Sequence, residues 1–412
     1  MNLVGWIVLA ALVIDYVLGL VATVLNLRAL DPILPADFAD SYDEDEYRRS
    51  QLYTREKSRL GLVSDTAGLV ALLGFWFVGG FEVVDQLARS LGYGEIVTGI
   101  IFILSLVILQ SILGLPFSIY RTFILEKRFE FNKTTAATFV ADLVKSLTLG
   151  AVIGVPLLAI VLAIFVYGGP LAWLYCWIVL VLFMLVMQYL APTLIMPLFN
   201  KFETLEDGPL RTAILGYAEG AEFPLNNVFR MDGSKRSAKS NAFFTGFGKN
   251  KRVVLFDTLI EQHEPDEIVA IVAHEVGHYK KRHIIQGMLV SVAHSGLMLY
   301  LLSLVLSSSE LYEAFFVTHP SIHTGFVFFG LLFSPVEMLL SIGMNAWSRR
   351  NEFEADRFAI STTGGSSALV KAMKKLSTSN LANLTPHPLY VRLYYSHPPM
   401  IERIGAMMSY GR

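Results

Sequence analysis

The chain has 412 residues, of which 54% are hydrophobic and only 17% charged, and its mean hydropathy is +0.52. That composition excludes an ordinary soluble globule and points to a polytopic membrane protein. A net charge of -2 without a long Lys/Arg run gives no expectation of a nucleic-acid partner, and a single cysteine, Cys176 within an apolar run, excludes an internal disulfide framework and reads as a buried inert thiol.

Taken in order, the apolar segment from Met1 to Leu27 has no basic leader, contains Asp15 and lacks a clear cleavage site, so it reads as a retained first span. Crossing a bilayer takes about 20 apolar residues in a helix. The stretches 3–27, 60–80, 97–120, 146–168, 172–196, 284–307 and 324–346 qualify, which predicts a mainly α protein with about seven transmembrane helices. Basic residues crowd the connections 28–59, 121–145 and 197–283 and the tail after 347, whereas 81–96 holds Arg89 alone and 169–171 and 309–323 hold none. By the positive-inside rule the N-terminus is outside or lumenal and the C-terminus cytosolic. The acidic run Asp43 to Glu46 reads as a solvated loop. Asp15, Asp65, His294 and Glu337 fall inside apolar stretches and are expected to face the interior of the helix assembly rather than lipid.

Two polar pieces, 197–283 and 347–412, alternate with 1–196, which holds the first five spans, and 284–346, which holds the last two. In the first polar piece, Asn241 to Phe247 and Arg252 to Phe256 flank the turn-forming Gly248-Lys249-Asn250, the pattern of a β-hairpin. An edge strand there, from Asn241, Ala242 and Phe243, can hold an extended peptide by strand addition. A helix then opens at Pro265, with Asp266 and Glu267 at its positive end and Lys280, Lys281 and Arg282 at its negative end. It carries Ala273-His274-Glu275-Val276-Gly277-His278. Two histidines four apart share one helical face, so both can reach one metal ion while Glu275 stands beside it.

Catalytic zinc takes three protein ligands and keeps a fourth position for water, so the pair needs a partner. Within Asn351 to Ala359, helical in pattern and on the same expected side of the membrane, Glu352 and Asp356 share a face. One can ligate the metal while the other accepts a hydrogen bond from a ligand imidazole. Zinc chemistry at such a site activates water, with Glu275 taking up the proton and returning it to the leaving amine.

These residues resemble the M48 family of membrane zinc metalloproteases, in its Ste24-type CAAX prenyl protease branch. The likeness rests on the His274 to His278 motif, on Glu352 to Asp356, and on Leu125 to Thr134, Met196 to Phe202, Asp232 to Ser237, and Tyr395-Ser396-His397-Pro398-Pro399 ending in Glu402-Arg403. It implies one zinc per chain on His274, His278 and Glu352, with Glu275 as base and Asp356 behind a ligand. It also implies His397 and Arg403 as contacts to substrate or transition state. The fold implied is a ring of seven membrane helices enclosing a water-filled chamber, capped by a cytosolic α+β, gluzincin-like zinc domain. The implied activity is cleavage near the C-terminus of a peptide or protein substrate in a lipid bilayer, prenylated or otherwise membrane-bound, in the endoplasmic reticulum or a bacterial inner membrane. A quality-control protease without a lipid requirement is the alternative enzyme. A channel or scaffold with structural zinc is a third reading, which the intact Glu275 argues against. Where many relatives carry His before Tyr-Ser-His-Pro, this chain has Tyr394.

Overall fold

The computed structural model describes residues 1–225, 227–245 and 252–410. Among them, seven helices are long and apolar enough to cross a membrane: Leu3–Arg28, Glu44–Phe77, Glu95–Arg128, Ala136–Tyr167, Gly169–Phe199, His283–Val305 and Ile322–Thr363. Each packs on the next of the series, and the seventh returns to the first, closing a ring. No more than 22% of any span's apolar window is buried by protein, which a solid bundle would not allow. Most side chains of every span are therefore left at least partly uncovered by protein. His294 Nε2 of the sixth span lies 2.9 Å from the Glu337 carboxylate of the seventh, so these two ionisable groups face each other across neighbouring spans. At one end the seventh span also leans on the third, where a Cβ on Gly99 would lie 2.9 Å from the His323 side chain.

Several helices extend beyond the apolar runs that announce them. The second begins at Glu44, with Asp43 as its cap and the Asp43 carboxylate accepting the Glu46 N–H at 2.7 Å. The acidic run is thus not a solvated loop: it complements the positive end of a helix dipole. The seventh span has 42 residues, about 63 Å at 1.5 Å per residue, roughly twice a bilayer's hydrocarbon core. Its C-terminal half therefore projects past the bilayer. The last span and the Glu352 segment are one unbroken helix, passing position 346 without interruption.

Between the fifth and sixth spans lies a sheet of four strands, β1 Phe202–Thr204, β2 Asn227–Met231, β3 Ala242–Thr245 and β4 Arg252–Phe256, in the order β1-β2-β4-β3. β3 and β4 are antiparallel, with Phe243 opposite Val254, as the hairpin reading expects, while β2 and β4 run parallel. The turn 246–251 lies outside the described residues. Helices α1 Pro209–Gly220, α2 Pro265–Lys280, α3 Ser367–Ser379 and α4 Met400–Tyr410 complete this layer. α2 is its centre. Ile268, Ile271, Val272 and Val276 pack toward Val253, Leu255 and Leu259, and Ala270 and Ala273 pack toward Ala359, Leu369 and Ile404. A reciprocal capping box between Glu264 and Glu267 fixes where α2 starts.

Candidate metal centre

Two helices make the site, and a glycine lets them meet. A Cβ on Gly277 would sit 3.0 Å from the Cα and carbonyl oxygen of Ala355, so only a residue without a side chain allows α2 this close to the seventh helix. That approach carries Glu352 to the two histidines. His274 Nε2 and His278 Nε2 face each other at 3.1 Å, and the Glu352 carboxylate closes the triangle at 3.4 Å and 3.3 Å. Arms of zinc–ligand length at tetrahedral angles give edges of about 3.3–3.5 Å. Glu352 Oε2 is buried and accepts no hydrogen bond among the described residues, although Arg403 Nη1 lies 3.2 Å from it, which leaves its lone pairs available to a metal ion. The donor set and its spacing fit zinc.

Behind the triangle, the Asp356 carboxylate lies 2.8 Å from His274 Nδ1, which turns Nε2 toward the metal position. Arg403 is 4% exposed. Its Nε and Nη2 donate to the two Asp356 oxygens at 2.9 Å and 2.6 Å, and Nη1 stands 3.2 Å from Glu352. The guanidinium therefore faces the ligands from inside the protein. His397 lies on the open side, with Nε2 3.3 Å from Glu352 Oε1 and most of its ring exposed. Asn345 and Arg349, one turn apart on the seventh helix, place it by donating to the carbonyls of Leu393, Val391 and Tyr395.

Glu275, His278, Phe243, Phe244, Ile284 and Trp347 line a cavity of about 340 Å³. Phe243 of β3 is thus in the cavity wall, Ala242 packs toward the domain core and Asn241 is exposed. Among the described residues β3 pairs only with β4, leaving its outer edge open. Tyr394 lies against the first span: a Cβ on Gly19 would come within 2.7 Å of its hydroxyl.

Sequence reasoning missed His283, Asn345, Arg349 and the spacing role of Gly277. His283 is buried, with Nδ1 3.0 Å from His278 Nδ1. Its position five residues after His278 breaks helical periodicity, and only the turn between α2 and the sixth span brings the rings together.

Burial lifts the Glu275 carboxyl above its usual range, against the pull of the His274 and His278 imidazoles. Burial opposes charging of His274, but hydrogen bonds to Asp356 and Glu352 outweigh it and push the imidazole up to about 9. Near neutral pH the metal-free site thus holds a proton that zinc must displace. Because the proton competes below that pKa, apparent zinc affinity is expected to fall about tenfold per unit of acidification below about pH 9. Calorimetry in buffers of different ionisation enthalpy counts the proton released, and an affinity flat across this range would contradict the assignment.

Residues 23–201 match the family model for the CAAX prenyl protease N-terminal region, five membrane helices, and residues 204–410 match that of peptidase family M48. The chain is 37% identical to the CAAX prenyl protease 1 homolog of Arabidopsis thaliana, over 93% of each chain. To CAAX prenyl protease 1 of Saccharomyces cerevisiae it is 35% identical, over 91% of this chain and 88% of that one. The crystal structure of S. mikatae Ste24p superposes with a TM-score of 0.94 at 32% identity, over 99% of both chains. With its His-His-Glu cluster and seven apolar helices, the chain belongs to peptidase family M48, as a multi-pass membrane zinc metalloendopeptidase of the Ste24 type.

Proposed function

We propose that the chain cleaves membrane-held peptides near their C-termini, prenylated CAAX-type substrates in particular, at the cytosolic face of its membrane. The observation that carries this reading is the site's position. The metal triangle lies where the sixth span begins and the seventh leaves the apolar layer, beside a cavity walled by Phe243, Phe244, Ile284 and Trp347. A lipid-anchored peptide can enter there without leaving the bilayer. The ring's interior supplies the chamber in which the rest of a substrate fits, and the distribution of basic residues supports a cytosolic zinc domain. Relatives named CAAX prenyl protease 1 supply the substrate class.

In this mechanism His274, His278 and Glu352 would hold a zinc ion, which when bound would supply Lewis acidity and acidify a water near neutral pH. Glu275, enclosed and raised in pKa, accepts the water's proton and passes it to the departing amine. Asp356 holds His274 in the ligating tautomer, and Arg403 holds Asp356 and Glu352. Arg403 therefore acts through those carboxylates rather than by touching substrate. His397, exposed on the open side of the ligands with Nε2 3.3 Å from Glu352 Oε1, is the group placed to donate to the substrate carbonyl as charge develops on it. The open edge of β3, with Asn241, Ala242 and Phe243, pairs with the extended peptide.

The test is competition between farnesylated and unprenylated forms of one CAAX peptide, with purified protein in lipid nanodiscs. The farnesylated form is expected to have the higher kcat/KM by at least about tenfold, since each buried CH₂ contributes about 0.8 kcal/mol. Equal rates would sink the prenyl reading and leave a membrane metalloprotease without a lipid requirement.

A further inference from the structure

The two histidine ligands are held differently. His274 has a carboxylate behind it, whereas the group behind His278 is another imidazole, that of His283. Their Nδ1 atoms lie 3.0 Å apart, with ring planes inclined by 71°. On its far side His283 Nε2 lies 3.4 Å from Glu354 Oε2, and Arg350 Nε donates to the other oxygen of that carboxylate at 3.1 Å.

The proton order along this row is forced. With His278 Nε2 turned to His274 and Glu352, its proton sits on Nδ1. Two Nδ1 atoms cannot both donate into one bond, so His283 accepts there and carries its own proton on Nε2, facing Glu354. The backbone is bent to make this contact. Arg282, which joins α2 to the sixth span, takes φ 60° and ψ 27°, a left-handed conformation that residues other than glycine rarely adopt. Without it α2 would run straight on, and a residue five positions after His278 would fall on another face.

Resting on the zinc reading above, we propose that His283 is a positioning residue, whose Nδ1 lone pair fixes the tautomer and ring plane in which His278 ligates the metal. Glu354 in turn orients His283. The ligand set thereby gains a neutral hydrogen-bond acceptor on one histidine and an anionic one on the other.

The experiment measures zinc affinity of the purified full chain by competition with a chromogenic chelator. His283→Asn places an amide oxygen near the position of Nδ1 and is expected to bind within a few-fold of wild type. His283→Gln places its oxygen near the position of Nε2 and is expected to bind 10–100-fold more weakly. His283→Phe keeps the ring volume without the acceptor and should show the same loss if glutamine is not tolerated. Thermal midpoints in excess chelator are expected to be alike for the folded variants, which a merely structural role would not give. Wild-type affinity in the Gln or Phe variant, or an Asn variant as weak as either, would overturn the proposal. A wild-type chain that takes up no zinc would instead overturn the metal reading itself.

Discussion

Glu275→Gln is expected to lose peptide cleavage by about 10²–10⁴-fold, the range general acid–base catalysis supplies, while the protein keeps its zinc. Glu275 shares the cavity wall with His278 but is not one of the three clustered ligands. The amide has nearly the carboxylate's shape and cannot take up a proton near neutral pH. Burial already holds the native carboxyl above its usual range, which brings it closer to the working pH of a base that must also release its proton. Loss of zinc from the variant would mean the residue helps hold the metal; unchanged cleavage would remove it from the mechanism.

Arg403→Met is expected to destabilise the fold by about 3–5 kcal/mol, the cost of leaving buried charge without its partner. The guanidinium is the cation between Asp356 and Glu352, both buried, and makes a two-pronged contact with the first. Methionine approximates its length and leaves two carboxylates facing each other across an apolar chain. Arg403→Lys should recover part of the loss, since it restores charge without the fork. Denaturant unfolding of the detergent-solubilised protein measures both. A methionine variant within about 1 kcal/mol of wild type would show that other groups balance these charges.

The contrast between these residues shows what a linear sequence can carry. His274, Glu275 and His278 were legible because the helix repeat alone puts them together, and Glu352 and Asp356 because the same repeat pairs them on one face. The spans were legible because a bilayer demands long apolar runs. The charged ends of those helices were not: Glu44 to Arg59 and Arg350 to Thr363 extend membrane helices with residues that hydropathy assigns to loops or separate elements. The parallel pairing of β2 with β4 crosses a connection of twenty residues, beyond any local pattern. Arg403 was picked out by likeness to a family as a contact to substrate or transition state, and only the fold shows it buried against Asp356 and Glu352. His283 and Gly277 depend on how two helices approach and on one left-handed residue, Arg282.

The most direct measurement determines zinc content and cleavage rate on the same samples of wild type and Glu275→Gln. About one zinc per chain in both, with cleavage in the wild type alone, is the predicted result. Cleavage by a zinc-free wild-type chain, or by the variant at the wild-type rate, would contradict a zinc endopeptidase built on His274, His278, Glu352 and Glu275.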